Sequence, residues 1–161
     1  MKAYTLCFIQ RGKQILLLNR QFAPNLGLWN GVGGKIEPGE TLVKSALREI
    51  KEETGMLLLE EQLKNKGEVS WLVEGEDVGG LHIFHAVIPM DVVYPTPLLT
   101  DEGILDWKDL DWIMDEENLG IAEIVPKMLE NMIVSQERYE YIAHYKNDKL
   151  INCEQRKIGQ K

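Results

Sequence analysis

The sequence has almost no cysteine, no long apolar run and no leader-like start. Its two cysteines, Cys7 in an apolar run and Cys153 near the tail, are too few for a disulfide framework and lack metal-ligand spacing, so we expect free thiols. No segment approaches the roughly 18 apolar residues that a membrane span needs. The first residues, MKAYTLCFIQRGK, lack the order of regions that marks a signal peptide. We therefore expect a cytoplasmic protein with no membrane partner.

Positive charge is also scarce, with 18 lysine and arginine residues against 26 aspartate and glutamate residues, a net charge of -8. Surfaces that bind duplex nucleic acid are basic, so this balance argues against such a partner. A polyanionic substrate would have to be met by bound cations. The composition does not change along the chain, and we expect residues 1–161 to form a single domain, with the oligomeric state left open.

The apolar pattern predicts strands on both sides of one clear helix. Two runs, YTLCFIQ and QILLLNR, predict an N-terminal hairpin. Thr41 is a candidate helix cap, after which apolar residues recur at helical spacing until Gly55 ends the pattern. This mixed order predicts an α/β (α+β) sandwich. The later predicted elements are strands in EVSWLVEGE, GGLHIFHAVIPM and ILDW, a helix over 122–134, and a closing hairpin in ERYEYIAHYKNDKLINCE that turns at Asn147 and Asp148.

Three glutamates lie on one side of the predicted helix. Glu49, Glu52 and Glu53 are spaced i, i+3 and i+4, so their carboxylates project together and repel one another. Such an oxygen-only cluster suits Mg²⁺ or Mn²⁺ and offers zinc no nitrogen or sulfur ligand. The glycines that precede the helix would let the backbone approach a metal or a phosphate closely, and Lys35 adds a phosphate partner.

The segment GKIEPGETLVKSALREIKEETGM, from Gly34 to Met56, resembles the Nudix box of the Nudix hydrolase (MutT-like) family at every fixed position. Outside the box, Tyr4-Thr5-Leu6, the stretch LWNGVGGK and the closing hairpin resemble the branch that sanitises oxidised purine nucleoside triphosphates. The resemblance implies a Nudix fold, in which a mixed sheet lies between helices and a β-hairpin ends the chain. It also implies that water attacks a nucleoside diphosphate linkage bridged by Mg²⁺ or Mn²⁺.

The resemblance also assigns roles within the box. It implies that Arg48 orients the glutamates through ion pairs and that Glu40, which is not itself a metal ligand, supports the loop and the helix. Arg48, Glu49 and Glu53 are then expected to be catalytic. The implied metal ligands are the carbonyl of Gly33 and the carboxylates of Glu49, Glu52 and Glu53.

A second acidic concentration, residues 101–117, is read mostly as a solvated face. Glu102 is the exception, because relatives carry a glutamate on the loop after the central strands that reaches the metal site. Glu102 lies in the matching place before ILDW and is expected to act as a catalytic base or a further metal ligand.

The resemblance extends less completely to the base. Asn30 matches an asparagine that hydrogen-bonds the base, and Arg20 and Thr5 match positions that line the nucleotide pocket. In animal members of this branch a pair of aspartates reads the base, but the matching positions in this sequence are Gly120 and Ile121. Asn118 or Glu123 could substitute for them. The predicted substrate is a nucleoside triphosphate, cleaved to monophosphate and pyrophosphate, with 8-oxo-dGTP the leading candidate.

Two alternatives stay open. One is a Nudix hydrolase of another substrate, such as a dinucleoside polyphosphate, a nucleotide sugar or an RNA 5′-triphosphate. The other is a Nudix-fold module that senses a nucleotide without cutting it, against which the intact glutamates count. Outside the box, His82 and His85 are expected to be structural, and Trp71, Trp107 and Trp112 to belong to the core or a pocket wall.

Overall fold

The computed structural model describes residues 1 to 159 and contains ten strands and three helices in this part of the chain. A short 3₁₀ turn, Glu60–Gln62, precedes β5. In chain order the elements are β1 (Lys2–Arg11), β2 (Gln14–Arg20), β3 (Trp29–Asn30), β4 (Val32–Lys35), α1 (Leu42–Thr54), β5 (Leu63–Val73), β6 (Glu76–Val87), β7 (Leu98–Thr100), β8 (Gly103–Asp109), α2 (Leu110–Met114), α3 (Val125–Val134), β9 (Arg138–Lys146) and β10 (Lys149–Gly159).

The strands form one mixed sheet in the order β10-β9-β5-β6-β1-β2-β8-β7, with β3 and β4 attached to β2 and β1. The pairs β1–β6 and β5–β9 are parallel, and the other pairs are antiparallel. Strand β1 divides its second edge between two partners, β4 along Tyr4–Cys7 and β2 along Ile9–Arg11. This division places the glycines of β4 in the middle of the sheet, directly beside α1.

Apolar side chains alternate between the two faces of the sheet and so build two buried layers. One layer contains Leu6, Phe8 and Ile83 and packs against α3. The other contains Cys7, Ile9 and Phe84 and packs against α1. The sheet therefore lies between helices, and the predicted α/β (α+β) fold is confirmed. No helix in residues 1–159 has both the length and the apolar content to cross a membrane.

Local signals fix both ends of α1, as predicted. The Thr41 hydroxyl accepts a hydrogen bond from the Lys44 amide at 3.2 Å, which satisfies one of the free donors of the first turn. Gly55 ends the helix with φ of 78°, a left-handed conformation that favours glycine. The buried Ala46 and Ile50 hold one face on the sheet, so the opposite face is free for the glutamates.

Other elements differ from the sequence prediction in their bounds. Glu74 and Gly75, with φ of 50° and 83°, form the turn between β5 and β6. The sequence had predicted that the first of these strands continues through both residues. Helix α3 begins at Val125 rather than residue 122, with Pro126 in its first turn as predicted. The closing hairpin is confirmed, and both turn residues, Asn147 and Asp148, have positive φ. Strand β7 and helix α2 were not predicted.

The residues predicted to be structural are mostly packed or paired. The nearest partner of His85 is the Gln10 side-chain oxygen at 2.8 Å, and burial lowers the pKa of His85 to about 4. His82 lies 3.8 Å from the Glu68 carboxylate, on the other face. Trp107 is buried in the layer beneath α1, whereas Trp112 is partly exposed. Both cysteines are free thiols.

Candidate active site

The second half of α1 lies over β4 and brings two of its glutamates against glycines. The Gly33 amide donates a hydrogen bond to Oε2 of Glu53 at 2.9 Å. The Glu49 carboxyl group lies directly against Gly34, because a Cβ atom at that position would be 2.5 Å from Glu49 Cδ. Any side chain at Gly34 would therefore displace the Glu49 carboxylate from this position.

The carbonyl of Gly33 points towards the same helix. The Ile36 amide donates to the Ala3 carbonyl at 2.9 Å, so Gly33 occupies an alternate position of the ladder at which both backbone groups face away from β1. The Lys35 carbonyl, two residues later, points the same way and accepts a hydrogen bond from Arg48 at 3.0 Å. The Gly33 carbonyl thus lies on the strand edge that faces the glutamates.

Arg48 holds several carboxylates at once. Its guanidinium contacts Glu40 through two bonds of 2.6 and 2.9 Å, and it donates to Glu49 at 2.8 Å and Glu52 at 3.3 Å. The bond to Arg48 lowers the pKa of Glu40 to about 2, so this carboxylate stays charged. Because the guanidinium is planar and bidentate towards Glu40, it fixes the loop that precedes α1 relative to the glutamates.

Burial and mutual repulsion raise the pKa of two glutamates. The pKa of Glu53 is raised to about 8, first by burial and then by the negative charges of Glu49 and Glu102, against the opposing Gly33 hydrogen bond. Burial likewise raises the pKa of Glu49, while the bond to Arg48 opposes the shift. A bound cation would offset the repulsion between these carboxylates and stabilise their charged form.

Glu102 lies in the turn between β7 and β8, outside α1. Its negative charge contributes to the raised pKa of both Glu49 and Glu53. The turn is held by the Glu102 amide, which donates to the Thr100 hydroxyl at 3.2 Å, and by the Glu102 carbonyl, which accepts from the Gln21 amide at 3.0 Å. The backbone of Glu102 is therefore fixed beside Gln21, just after the end of β2.

The oxygen ligands of this site suit a hard divalent cation, although the glutamate carboxylates are hydrogen-bonded to other groups of the protein. Within residues 1–159, no three histidine, cysteine, aspartate or glutamate side chains converge closely enough to hold an ion as they stand. Glu49 and Glu52 are bonded to Arg48, and Glu53 is bonded to the Gly33 amide. All available ligands are oxygens, the type that Mg²⁺ and Mn²⁺ prefer.

The predicted nucleotide-binding residues differ in exposure and in their hydrogen-bond partners. The Asn30 side-chain oxygen accepts from the Gly31 amide at 2.8 Å. Arg20 donates to the Pro24 carbonyl at 2.6 Å, and its positive charge acts to lower the pKa of Glu53. The Lys35 side chain is exposed. Thr5 is only 2% exposed, and its hydroxyl has no partner in the described part of the chain.

The segment that contains Gly120 and Ile121, where the resemblance would put the paired aspartates, lies beside β3. The Trp29 amide donates to the Gly120 carbonyl at 2.8 Å, and the Ala122 amide donates to the Trp29 carbonyl at 2.9 Å. The two candidate substitutes already have structural partners. Asn118 bonds Trp112 and Gly120 through its two side-chain groups, and Glu123 accepts from the Leu150 amide.

One residue at this place was not predicted from the sequence. The Lys108 ammonium lies 4.3 Å from the centroid of the Trp29 ring and 5.2 Å from that of Trp112. No local motif marks Lys108, because the two rings come from positions far apart in the chain. The available signal was alternation along β8, which puts Lys108 on the face opposite the buried Leu105 and Trp107.

Comparisons with known proteins identify the family of the chain. The NUDIX domain model matches residues 2–130. The oxidized purine nucleoside triphosphate hydrolase of Mus musculus is 34% identical over 70% of this chain and 69% of its own length. The uncharacterized Nudix hydrolase YvcI of Bacillus subtilis is 28% identical over 84% of this chain and 82% of its own.

A solved structure resembles nearly the whole molecule. The MutT protein of Bacillus halodurans superimposes with a TM-score of 0.78 and 27% identity, covering 96% of this chain and 97% of that protein. The resemblance first seen in the box and around it is thereby confirmed. Since the family model spans most of the sequence and includes the glutamate helix, the chain belongs to the Nudix hydrolase family.

Proposed function

We propose that this protein hydrolyses nucleoside triphosphates to the monophosphate and pyrophosphate, with 8-oxo-dGTP as the leading substrate and Mg²⁺ or Mn²⁺ as cofactor. The observation that carries the proposal is the arrangement of three glutamates of α1, with Glu53 hydrogen-bonded to the Gly33 amide and Glu49 and Glu52 bonded to Arg48. The similarity to the mouse enzyme, whose name states that it acts on oxidised purine nucleoside triphosphates, supports the choice of substrate.

The predicted site residues have distinct roles in this proposal. Glu49, Glu52, Glu53 and the Gly33 carbonyl would hold the cation, with Glu102 as a further ligand or as the base. The cation, when bound, neutralises phosphate charge and makes a water molecule more acidic. Arg48 keeps Glu49 and Glu52 oriented, because its contact with Glu40 fixes the guanidinium. Arg20 and Lys35 supply positive charge for the phosphates, and Asn30 and Thr5 contribute to the nucleoside side of the pocket.

A product analysis tests the proposed bond cleavage. Nucleoside triphosphates are incubated with Mg²⁺, and pyrophosphate and inorganic phosphate are measured separately. We expect pyrophosphate and a nucleoside monophosphate in equal amounts, with a higher kcat/KM for 8-oxo-dGTP than for dGTP. Release of inorganic phosphate alone, or hydrolysis of none of the triphosphates tried, would contradict the proposal.

Glu102→Gln tests the contribution of the β7–β8 turn. The substitution removes a proton acceptor and a negative charge that contributes to the raised pKa of Glu49 and Glu53. If Glu102 is the base or a metal ligand, as the resemblance implies, kcat should fall about 100-fold or more with little change in KM. The neighbouring Asp101→Asn, in the same exposed turn, is the matched control and should retain the parent rate. Equal rates for the two variants would return Glu102 to the solvated face.

Asn30→Ala tests recognition of the base. The side-chain amide has both a donor and an acceptor, and its loss should narrow the preference for 8-oxo-dGTP over dGTP by roughly 1 to 3 kcal/mol. The measurement is kcat/KM for both triphosphates on parent and variant. A preference that survives unchanged would leave Asn30 as a residue that only structures its loop through the Gly31 amide.

A further inference from the structure

The segment between β6 and β7, residues 88–97, reaches the end of helix α1, and we call it the strap. The Tyr94 hydroxyl donates a hydrogen bond of 2.6 Å to the carbonyl of Thr54, the last residue of that helix. The Tyr94 ring packs against the buried layer beneath α1. Burial raises the pKa of Tyr94, so its hydroxyl stays protonated and remains a hydrogen-bond donor.

The strap is also anchored to β8 and β1. The Trp107 indole donates to the Tyr94 carbonyl at 3.1 Å, and the two rings meet edge to face with centroids 6.4 Å apart. The Thr96 hydroxyl donates to the Asp106 carboxylate at 2.6 Å. The Arg11 guanidinium lies 4.1 Å from the centroid of the Trp107 ring and donates to a carbonyl of the strap at 2.9 Å. Tyr94 is therefore held at its backbone and at its ring, which fixes the position of its hydroxyl.

The end of α1 depends on partners of this kind, because the last carbonyls of a helix have none within the helix itself. Here the amide that follows the helix closes one carbonyl, and the Tyr94 hydroxyl satisfies that of Thr54. Glu53 directly precedes Thr54 and lies in the same turn. A shift of this turn would move the Glu53 carboxylate relative to the Gly33 amide, to which it is bonded at 2.9 Å.

We propose that Tyr94 is a positioning residue, whose hydroxyl fixes the last turn of α1 and so holds the Glu53 carboxylate in place for a divalent cation. The inference rests on the proposed function above. Groups that orient a metal ligand commonly contribute roughly 10- to 100-fold to metal affinity or activity. Tyr94 does so through the backbone of the residue next to the ligand, from a loop about 40 positions further along the chain.

Binding of Mn²⁺ to the full chain without nucleotide, followed by electron paramagnetic resonance, tests this role. Tyr94→Phe removes the hydroxyl but keeps the ring beside Trp107, so the fold should persist. We expect the Kd of Mn²⁺ to rise about five- to tenfold. At a fixed, limiting concentration of Mg²⁺, kcat should fall by a similar factor, while KM for the nucleotide changes by less than about twofold.

The matched control is Tyr141→Phe. It removes a tyrosine hydroxyl that is bonded to Asn131 at 2.9 Å, in the layer that packs against α3 on the other face of the sheet. This variant loses a hydrogen bond of the same kind, and its melting temperature should fall at least as much, because Tyr141 is the more deeply buried of the two tyrosines. Its Kd for Mn²⁺ should equal that of the parent.

A double-mutant cycle separates positioning from general support. If Tyr94 acts through Glu53, adding Tyr94→Phe to Glu53→Gln should change the Kd of Mn²⁺ little further, because the ligand is already altered. Three results would overturn the inference, whatever happens to the melting temperature. They are an unchanged Kd in Tyr94→Phe, an equal loss of affinity in Tyr141→Phe, and equal fold-changes in the two backgrounds of the cycle.

The inference and the proposed function can fail separately. A parent that binds Mn²⁺ but hydrolyses no nucleoside triphosphate would contradict the proposed function, and a weaker Kd in Tyr94→Phe would still support the role of Tyr94. A parent that hydrolyses 8-oxo-dGTP, with the same Kd in Tyr94→Phe, would leave the proposed function intact and contradict the inference.

Discussion

Glu53→Gln is expected to reduce turnover by more than about 100-fold while the fold stays intact. Substitutions of residues that merely support metal ligands cost 10- to 100-fold, and Glu53 is placed as a ligand itself. The glutamine oxygen can still accept the Gly33 amide hydrogen bond, so the local structure should persist. The measurement is steady-state hydrolysis of 8-oxo-dGTP with Mg²⁺, together with circular dichroism of both proteins.

The control for this experiment is Glu116→Gln, an exposed residue in the turn after α2, which makes the same chemical change away from the site. It should retain the parent rate. Excess EDTA should abolish activity of the parent, and added Mg²⁺ or Mn²⁺ should restore it. A Glu53→Gln rate within twofold of the parent, or full activity in EDTA, would show that the metal site lies elsewhere.

The same substitution should stabilise the metal-free protein at high pH. The pKa of Glu53 is about 8 in the folded chain and 4.5 ordinarily, so between these values the folded state binds more protons than the unfolded state. The unfolding free energy therefore falls as pH rises through this window, by up to about 1.4 kcal/mol per pH unit. Because glutamine does not titrate, the unfolding free energy of Glu53→Gln should lack this decrease with rising pH.

Urea unfolding in EDTA at pH 5 and pH 8 measures the difference. We expect Glu53→Gln to gain stability over the parent mainly at pH 8, with the two proteins much closer at pH 5, and Glu116→Gln to follow the parent at both. The opposite trend, a variant that loses stability as pH rises, would mean that the Glu53 carboxylate is already well compensated in the folded protein. Enzymes commonly carry such instability where charged groups gather for function.

These predictions depend on features that the sequence reveals unequally. Helix α1 was predictable because Thr41, the apolar spacing and Gly55 all agree, and the closing hairpin because Asn147 and Asp148 tolerate positive φ. Strand β7 has three residues and helix α2 has five, too few for any periodicity to appear. The bulge beside Gly67, where φ is 119°, interrupts the alternation along β5 and hid its first residues.

The site shows the same division. The box glutamates are neighbours on one helix, so their spacing alone indicates a shared face. The position of Glu102 beside the end of β2 is a property of the sheet order, since β8 pairs with β2, and the sequence suggested a role for Glu102 only through family resemblance. The cluster around Lys108 unites residues 29, 108 and 112 with a segment near 120, and no local pattern connects these positions.

The hydrogen bond from the Gly33 amide to Glu53 makes this backbone group a spectroscopic reporter of the site. The resonance of an amide that donates to a carboxylate depends on whether that carboxylate is charged, protonated or shared with a cation. One peak in a nitrogen–proton correlation spectrum of uniformly labelled protein would therefore follow the state of Glu53 without a probe attached to any side chain. The signal comes from a glycine that cannot be replaced, because a Cβ there would lie 2.0 Å from the Thr5 carbonyl oxygen.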